Sequence, residues 1–211
     1  PVSINKNFAA ADALIIKGAA SFASIATGTW TMTGARQIVT GIKFSGGGKV
    51  IPAGINNKVI GNQFTGWVGK AVSPARNSSQ CEIAYNEMYS PAAWNYTWVN
   101  DGDTEFRMGI RTTDDGVSDF HYNGWAHHNY FHDFPDKPVK DQYHSGQSDA
   151  IEIGEDNGGT YPSVNSGWYV ESNLVRNHAQ GSVAGAASID LKVGGVVARY
   201  NSFDNVKGHF D

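Results

Sequence analysis

One short phrase recurs five times along this chain, and that recurrence limits the possible folds more than any count of residues does. It reads VIGNQF (59–64), IAYNEM (83–88), AHHNYF (126–131), VESNLV (170–175) and ARYNSF (198–203). Each copy has a small or apolar residue, two variable residues, Asn, one variable residue and an apolar residue. VTGIKF (39–44) fits the same frame with Ile42 in the Asn place. The steps between Asn62, Asn86, Asn129, Asn173 and Asn201 are 24, 43, 44 and 28 residues. Such periods mark units that bury their apolar faces only by stacking on their neighbours. The short steps suit one turn of a parallel β-helix, and the long ones a turn with an inserted loop or two turns.

A second phrase precedes the later copies: FRMGIR (106–111), DAIEIG (149–154) and SIDLKV (188–193). Each coil therefore carries at least two strands joined by a turn. The expected fold is all-β, a single-stranded right-handed parallel β-helix (a solenoid), with residues 1–211 as one domain and a fragment of a longer chain. A β-sandwich is the rival, but its meander does not call for one phrase at one corner. An Asn repeated at a tight bend can bond up and down the stack and satisfy backbone groups there. The five asparagines are thus expected to form a structural ladder.

Composition narrows the function. The formal charge is −4 and no basic stripe exists, so a nucleic-acid partner is not expected. No apolar run is long enough to predict a membrane span. The single cysteine, Cys81, excludes an internal disulfide framework and reads as a small buried hydrophobe. The chain starts at Pro1 without a signal peptide, as a processed form or fragment would. Two glycosylation-type triplets, at Asn77 and Asn95, read as chance matches. His127, His128 and His132 flank an Asn corner on alternating faces, and a zinc site needs ligands converging at about 2 Å.

Alternation makes the charges of the second phrase interesting. If Ile151 and Ile153 point inward, Glu152 points out, and aligning AIEIG with SIDLK stacks Asp190 over Glu152 and Lys192 over Gly154. One coil earlier, Gly109 and Arg111 take those two columns. With strands about 4.8 Å apart, Arg111, Glu152, Asp190 and Lys192 share a small patch, with Glu155 and Asp156 at its margin. One reading is a solvated face of offsetting charges. The other is a groove for a polyanionic sugar chain, with room beside the glycines and Tyr143, His144 and Trp168 on its flanks as sugar contacts.

The order of phrases GWAHHNYFHDFPDKP, SDAIEIGED, WYVESNLVRN and SIDLKVGGVVARYNSFDN resembles the central coils of family six polysaccharide lyases, the alginate lyases and chondroitinase B, over roughly residues 36 to 211. The resemblance implies β-elimination on an anionic, uronate-containing polysaccharide such as alginate or chondroitin and dermatan sulfate. It implies a lysine base at Lys192, an assisting arginine, Ca2+ at the sugar carboxylate, and a secreted or periplasmic location. Two departures stand out. The family's carboxylate ligands fall here on Gly185 and Ala187, and its arginine would lie beyond Asp211. Arg111 is then expected to stabilise charge or bind substrate, and Glu152 with Asp190 to offer a different metal site. The alternative is a glycan-binding β-helix without chemistry, as in a phage tailspike or surface adhesin. A structural repeat segment of a larger protein is the third class.

Overall fold

The computed structural model describes residues 2–4, 14–18, 24–67, 69–75, 78–89, 107–112, 123–134, 149–154, 166–178 and 188–206. Its described residues form seven coils of a parallel β-helix. Three seven-stranded parallel sheets run its length, and each coil gives one strand to each sheet in turn. Sheet I runs from Val2–Ile4 to Ile189–Leu191, sheet II from Leu14–Lys17 to Val197–Arg199, and sheet III from Ser24–Ala26 to Ser202–Val206. Each coil thus has three strands. The 43- and 44-residue steps are single coils, since Glu82–Ala84 pairs with Trp125–His127 and that strand with Tyr169–Glu171.

Register turns the sequence frame into columns. On sheet III, Phe44, Phe64, Met88, Phe131, Val175 and Phe203 stand one above another. Phe44 and Phe64 stack at 4.8 Å between ring centroids. Sheet II adds Val39, Val59, Ile83, Ala126, Val170 and Ala198. These are the inward residues at either end of the repeated phrase, and most are fully buried.

The Asn corner lies between sheets II and III and is a ladder. Asn129 Oδ1 accepts from the backbone N–H and side-chain amide of Asn86, at 3.1 and 3.0 Å. Its own amide donates to Ile83 O at 2.8 Å and to Asn173 Oδ1 at 3.0 Å. Asn62, Asn173 and Asn201 continue the pattern, and Ile42 N–H donates to Asn62 Oδ1. The residue before each ladder position has a positive φ: Gly41, Gly61, Tyr85, His128, Ser172 and Tyr200. A left-handed residue outside glycine is costly, and the amide bonds to the next coil hold that bend in place. A further corner residue, Asn57, is fully buried between sheets I and II, accepting from Gln37 N–H and donating to Met32 O. It belongs to no repeated phrase, and the sequence frame misses it.

Candidate functional site

The second phrase supplies three successive strands of sheet I: Arg107–Arg111, Ile151–Ile153 and Ile189–Leu191. Glu152 pairs with Asp190 in register, as the sequence alignment of the two strands requires. The coil before differs from expectation by two residues. Ile110 pairs with Ile151 and Arg111 with Glu152, so Arg111 and not Gly109 shares the Glu152 column. Gly109 lies against the core, where an added Cβ would meet the Phe131 ring at 2.6 Å and Ala150 O at 2.4 Å.

The second correction concerns water. The column was expected on a wet groove face, yet Glu152 is 0%, Asp190 3% and Arg111 4% exposed. Alternation says which side of a sheet a residue takes and not whether that side is solvated. Nor do the glycines leave room: a Cβ on Gly154, at φ +91°, would meet Val193 Cγ1 at 2.3 Å. Trp168 is likewise a core residue, 1% exposed, with its ring packed over Gly124. Tyr143 and His144 lie outside the described residues, as do Glu155, Asp156, Gly185 and Ala187.

What the strands bring together is a buried charge cluster. Arg111 Nε stands 3.1 Å from Glu152 Oε1. Lys192 Nζ stands 3.1 Å from Asp190 Oδ2 and 3.5 Å from Glu152 Oε1. Its side chain, at 16% exposure, is the most accessible of the four. Asp149, fully buried at the entry of its strand, joins Glu152 and Asp190: one carboxylate oxygen from each lies within 4.8 Å of the others. The sequence reading missed Asp149, whose signal was its place in the second phrase, three residues before Glu152.

Among the described residues three carboxylates stand with two cations here, and burial makes their interactions strong. Desolvation pushes the Glu152 carboxyl above its usual range and Asp190 adds to it, against the pull of Arg111 and Lys192. Neither Glu152 oxygen has a well-formed hydrogen bond among the described residues. Burial alone would lower Lys192, but Glu152 and Asp190, with Asp149, outweigh it and hold the ammonium above its usual range. The raised Glu152 carboxyl favours a proton there. The all-oxygen triad of Asp149, Glu152 and Asp190 could hold a metal ion and suits a hard one.

The histidines lie on two faces. His127 Nε2 is 3.3 Å from Glu82 Oε1 and its Nδ1 is 2.9 Å from His128 Nδ1, whereas His132 sits on sheet III beside Glu87 and Asp133. Cys81 is buried, and desolvation pushes its thiol up to about 11. No helix among the described residues is long and apolar enough to cross a membrane.

No protein-family model matches the chain, and no curated protein matches it. Among solved structures it is similar to the crystal structure of an alginate lyase from Paenibacillus sp. str. FPU-7. The likeness has a TM-score of 0.52 at 14% identity and covers 99% of this chain and 86% of that one. At that identity it shows a shared fold and does not single out family six.

Proposed function

We propose that this protein is a polysaccharide lyase, secreted or periplasmic, that cleaves a uronate-containing polymer by β-elimination at the sheet I cluster. The observation that carries the reading is the buried Arg111–Glu152–Asp190–Lys192 constellation, built from three adjacent coils of a lyase-like fold. Burying this many charges for stability alone is a poor bargain, and strongly perturbed groups cluster at functional sites. Lys192, the member with the most exposed side chain, takes the proton from C5 of the uronate. The electron pair forms the C4–C5 double bond, the C4–O bond breaks, and the leaving glycosidic oxygen takes a proton from water, to which Lys192 returns its own. Arg111 acts through Glu152, holding that carboxylate in the column.

The carboxylates set the condition for this chemistry. A lysine serves as a base only when its amine is neutral, and Glu152 with Asp190 keeps this one charged. Neutralising either acid weakens that hold on the ammonium. Ca2+ held by Asp149, Glu152 and Asp190 would supply that neutralisation. Calcium should then raise the melting temperature through binding to the folded state, and chelator should reverse the rise.

The upward push on Lys192 favours a second reading, a glycan-binding β-helix without chemistry. Ultraviolet absorbance of the unsaturated product separates the two on alginate and on chondroitin or dermatan sulfate. Lys192→Ala and Lys192→Arg should both abolish the signal, since a guanidinium does not readily give up its proton. Wild-type rates in either variant would remove Lys192 from the mechanism. Inactivity of the wild type on every uronate polymer would leave the binding reading.

A further inference from the structure

We infer that the outer face of sheet II is a separate sugar-binding surface, a stacking site for neutral pyranose units of a polysaccharide centred on Trp125 and Tyr169. It lies on a different sheet from Lys192 and does not depend on the elimination chemistry. Trp125 and Tyr169 are register partners on adjacent strands, 41% and 44% exposed. Adjacent strands lie about 4.8 Å apart, so the two residues stand side by side along the stack. A contiguous exposed aromatic patch calls for an occupant, and Tyr85 and Tyr200 extend this one at the neighbouring corners.

The rings are held as a built site would hold them. Trp125 Nε1 donates to Glu171 Oε1 at 2.9 Å, and the indole is backed by His127 at 3.8 Å between centroids. The Arg199 guanidinium bonds to the other Glu171 oxygen and lies 5.9 Å from the Tyr169 centroid and 5.4 Å from that of Tyr200. Beside them opens a cleft of about 450 Å³ lined by Asn123, Gly124 and Gly167. Both glycines are required there. A Cβ on Gly124 would enter the Trp168 ring at 2.2 Å, and one on Gly167, at φ +64°, would meet Asn123 Oδ1 at 2.3 Å.

Aromatic faces beside a planar carboxylate, an amide and a guanidinium match the two sides of a pyranose, its C–H face and its hydroxyl edge. A purely apolar partner would leave those polar groups uncompensated. The charges of the face cancel within it: Glu171 pairs with Arg199, Glu82 with Lys58 at 2.6 Å. Burial holds His127 below the usual histidine range despite Glu82. With its charges already paired, the face offers a uronate no net attraction, so it suits an uncharged sugar.

Tryptophan fluorescence titrated with cello- and manno-oligosaccharides tests this. A saturable change is expected with at least one of them, retained at about 0.5 M salt because no net charge drives it. Tyr169→Ala read by fluorescence, and Trp125→Ala read by calorimetry, should each weaken binding by about tenfold with circular dichroism and melting unchanged. No change with either sugar would overturn the inference, as would binding that Trp125→Ala leaves intact. Concentration-dependent dimerisation abolished by Trp125→Ala would overturn it too, by giving this face to a second copy of the chain.

Discussion

Sheets I and II display the same three coils in opposite ways. Each carries an arginine–glutamate pair one strand apart, Arg111 with Glu152 on sheet I and Arg199 with Glu171 on sheet II. The side chains of the first pair are 4% and 0% exposed, those of the second 49% and 13%. Register and pleat are shared, so geometry alone does not separate them. Solvent does, and it decides that one pair is bound to the fold and the other is available to a ligand.

The largest effect should come from breaking the buried pair. Arg111→Leu removes the main counter-charge of a fully buried carboxylate, which typically costs about 3–5 kcal/mol. Urea unfolding measures this directly, and a loss below about 1 kcal/mol, the level of an exposed pair, would erase the contrast between the sheets. Replacing Arg111 and Glu152 together by leucines should recover much of the loss, because a buried pair exchanged for apolar groups is often close to neutral.

The Asn corner, between sheets II and III and independent of charge, comes next. Asn129→Leu strands Asn86 N–H and Ile83 O in the interior, at a cost of about 1–3 kcal/mol. An unchanged denaturation midpoint would show the ladder to be dispensable.

The pH dependence of the two sheets should have opposite signs. Glu152 sits above its usual value of 4.5, so between that value and its folded one the folded state holds the extra proton. Its contribution to stability is full below 4.5 and falls as pH rises. Glu82 on sheet II is the reverse. Burial pushes it up, but Lys58 and His127 prevail and keep it below 4.5, so its contribution is full above that value and lost as pH falls. Glu152→Gln should therefore flatten the alkaline side of the stability profile and Glu82→Gln the acid side. Matching profiles for the two variants would contradict both assignments.

How much of this was legible in the sequence follows from what periodicity can encode. The ladder was readable because Asn129 and its counterparts serve the same bend in every coil, so the frame repeats. The pairing of Glu152 with Asp190 was readable because both strands keep the same alternation. The place of Arg111 was not, since Gly109, where an added Cβ would meet Phe131 and Ala150, and Ile110 are buried in succession and break that alternation. Trp168, expected on the flank of a groove, is buried over Gly124, whereas its neighbour Tyr169 carries an exposed ring. In a coil of three-residue strands, one step along the chain exchanges core for surface.

The smallest effect belongs to the exposed pair and completes the contrast with Arg111. Arg199→Met removes the guanidinium from Glu171, from the Tyr169 face and from the Tyr200 face at once. Water replaces it, since half of the side chain is already solvated, so the denaturation midpoint should stay at the wild-type value. Glu171, no longer paired, still accepts from Trp125 Nε1, so the indole keeps its orientation. Oligosaccharide affinity should then fall while stability does not, a separation that no buried sheet I variant can produce. A matching fall in both would make Arg199 a structural residue and return sheet II to the behaviour of sheet I.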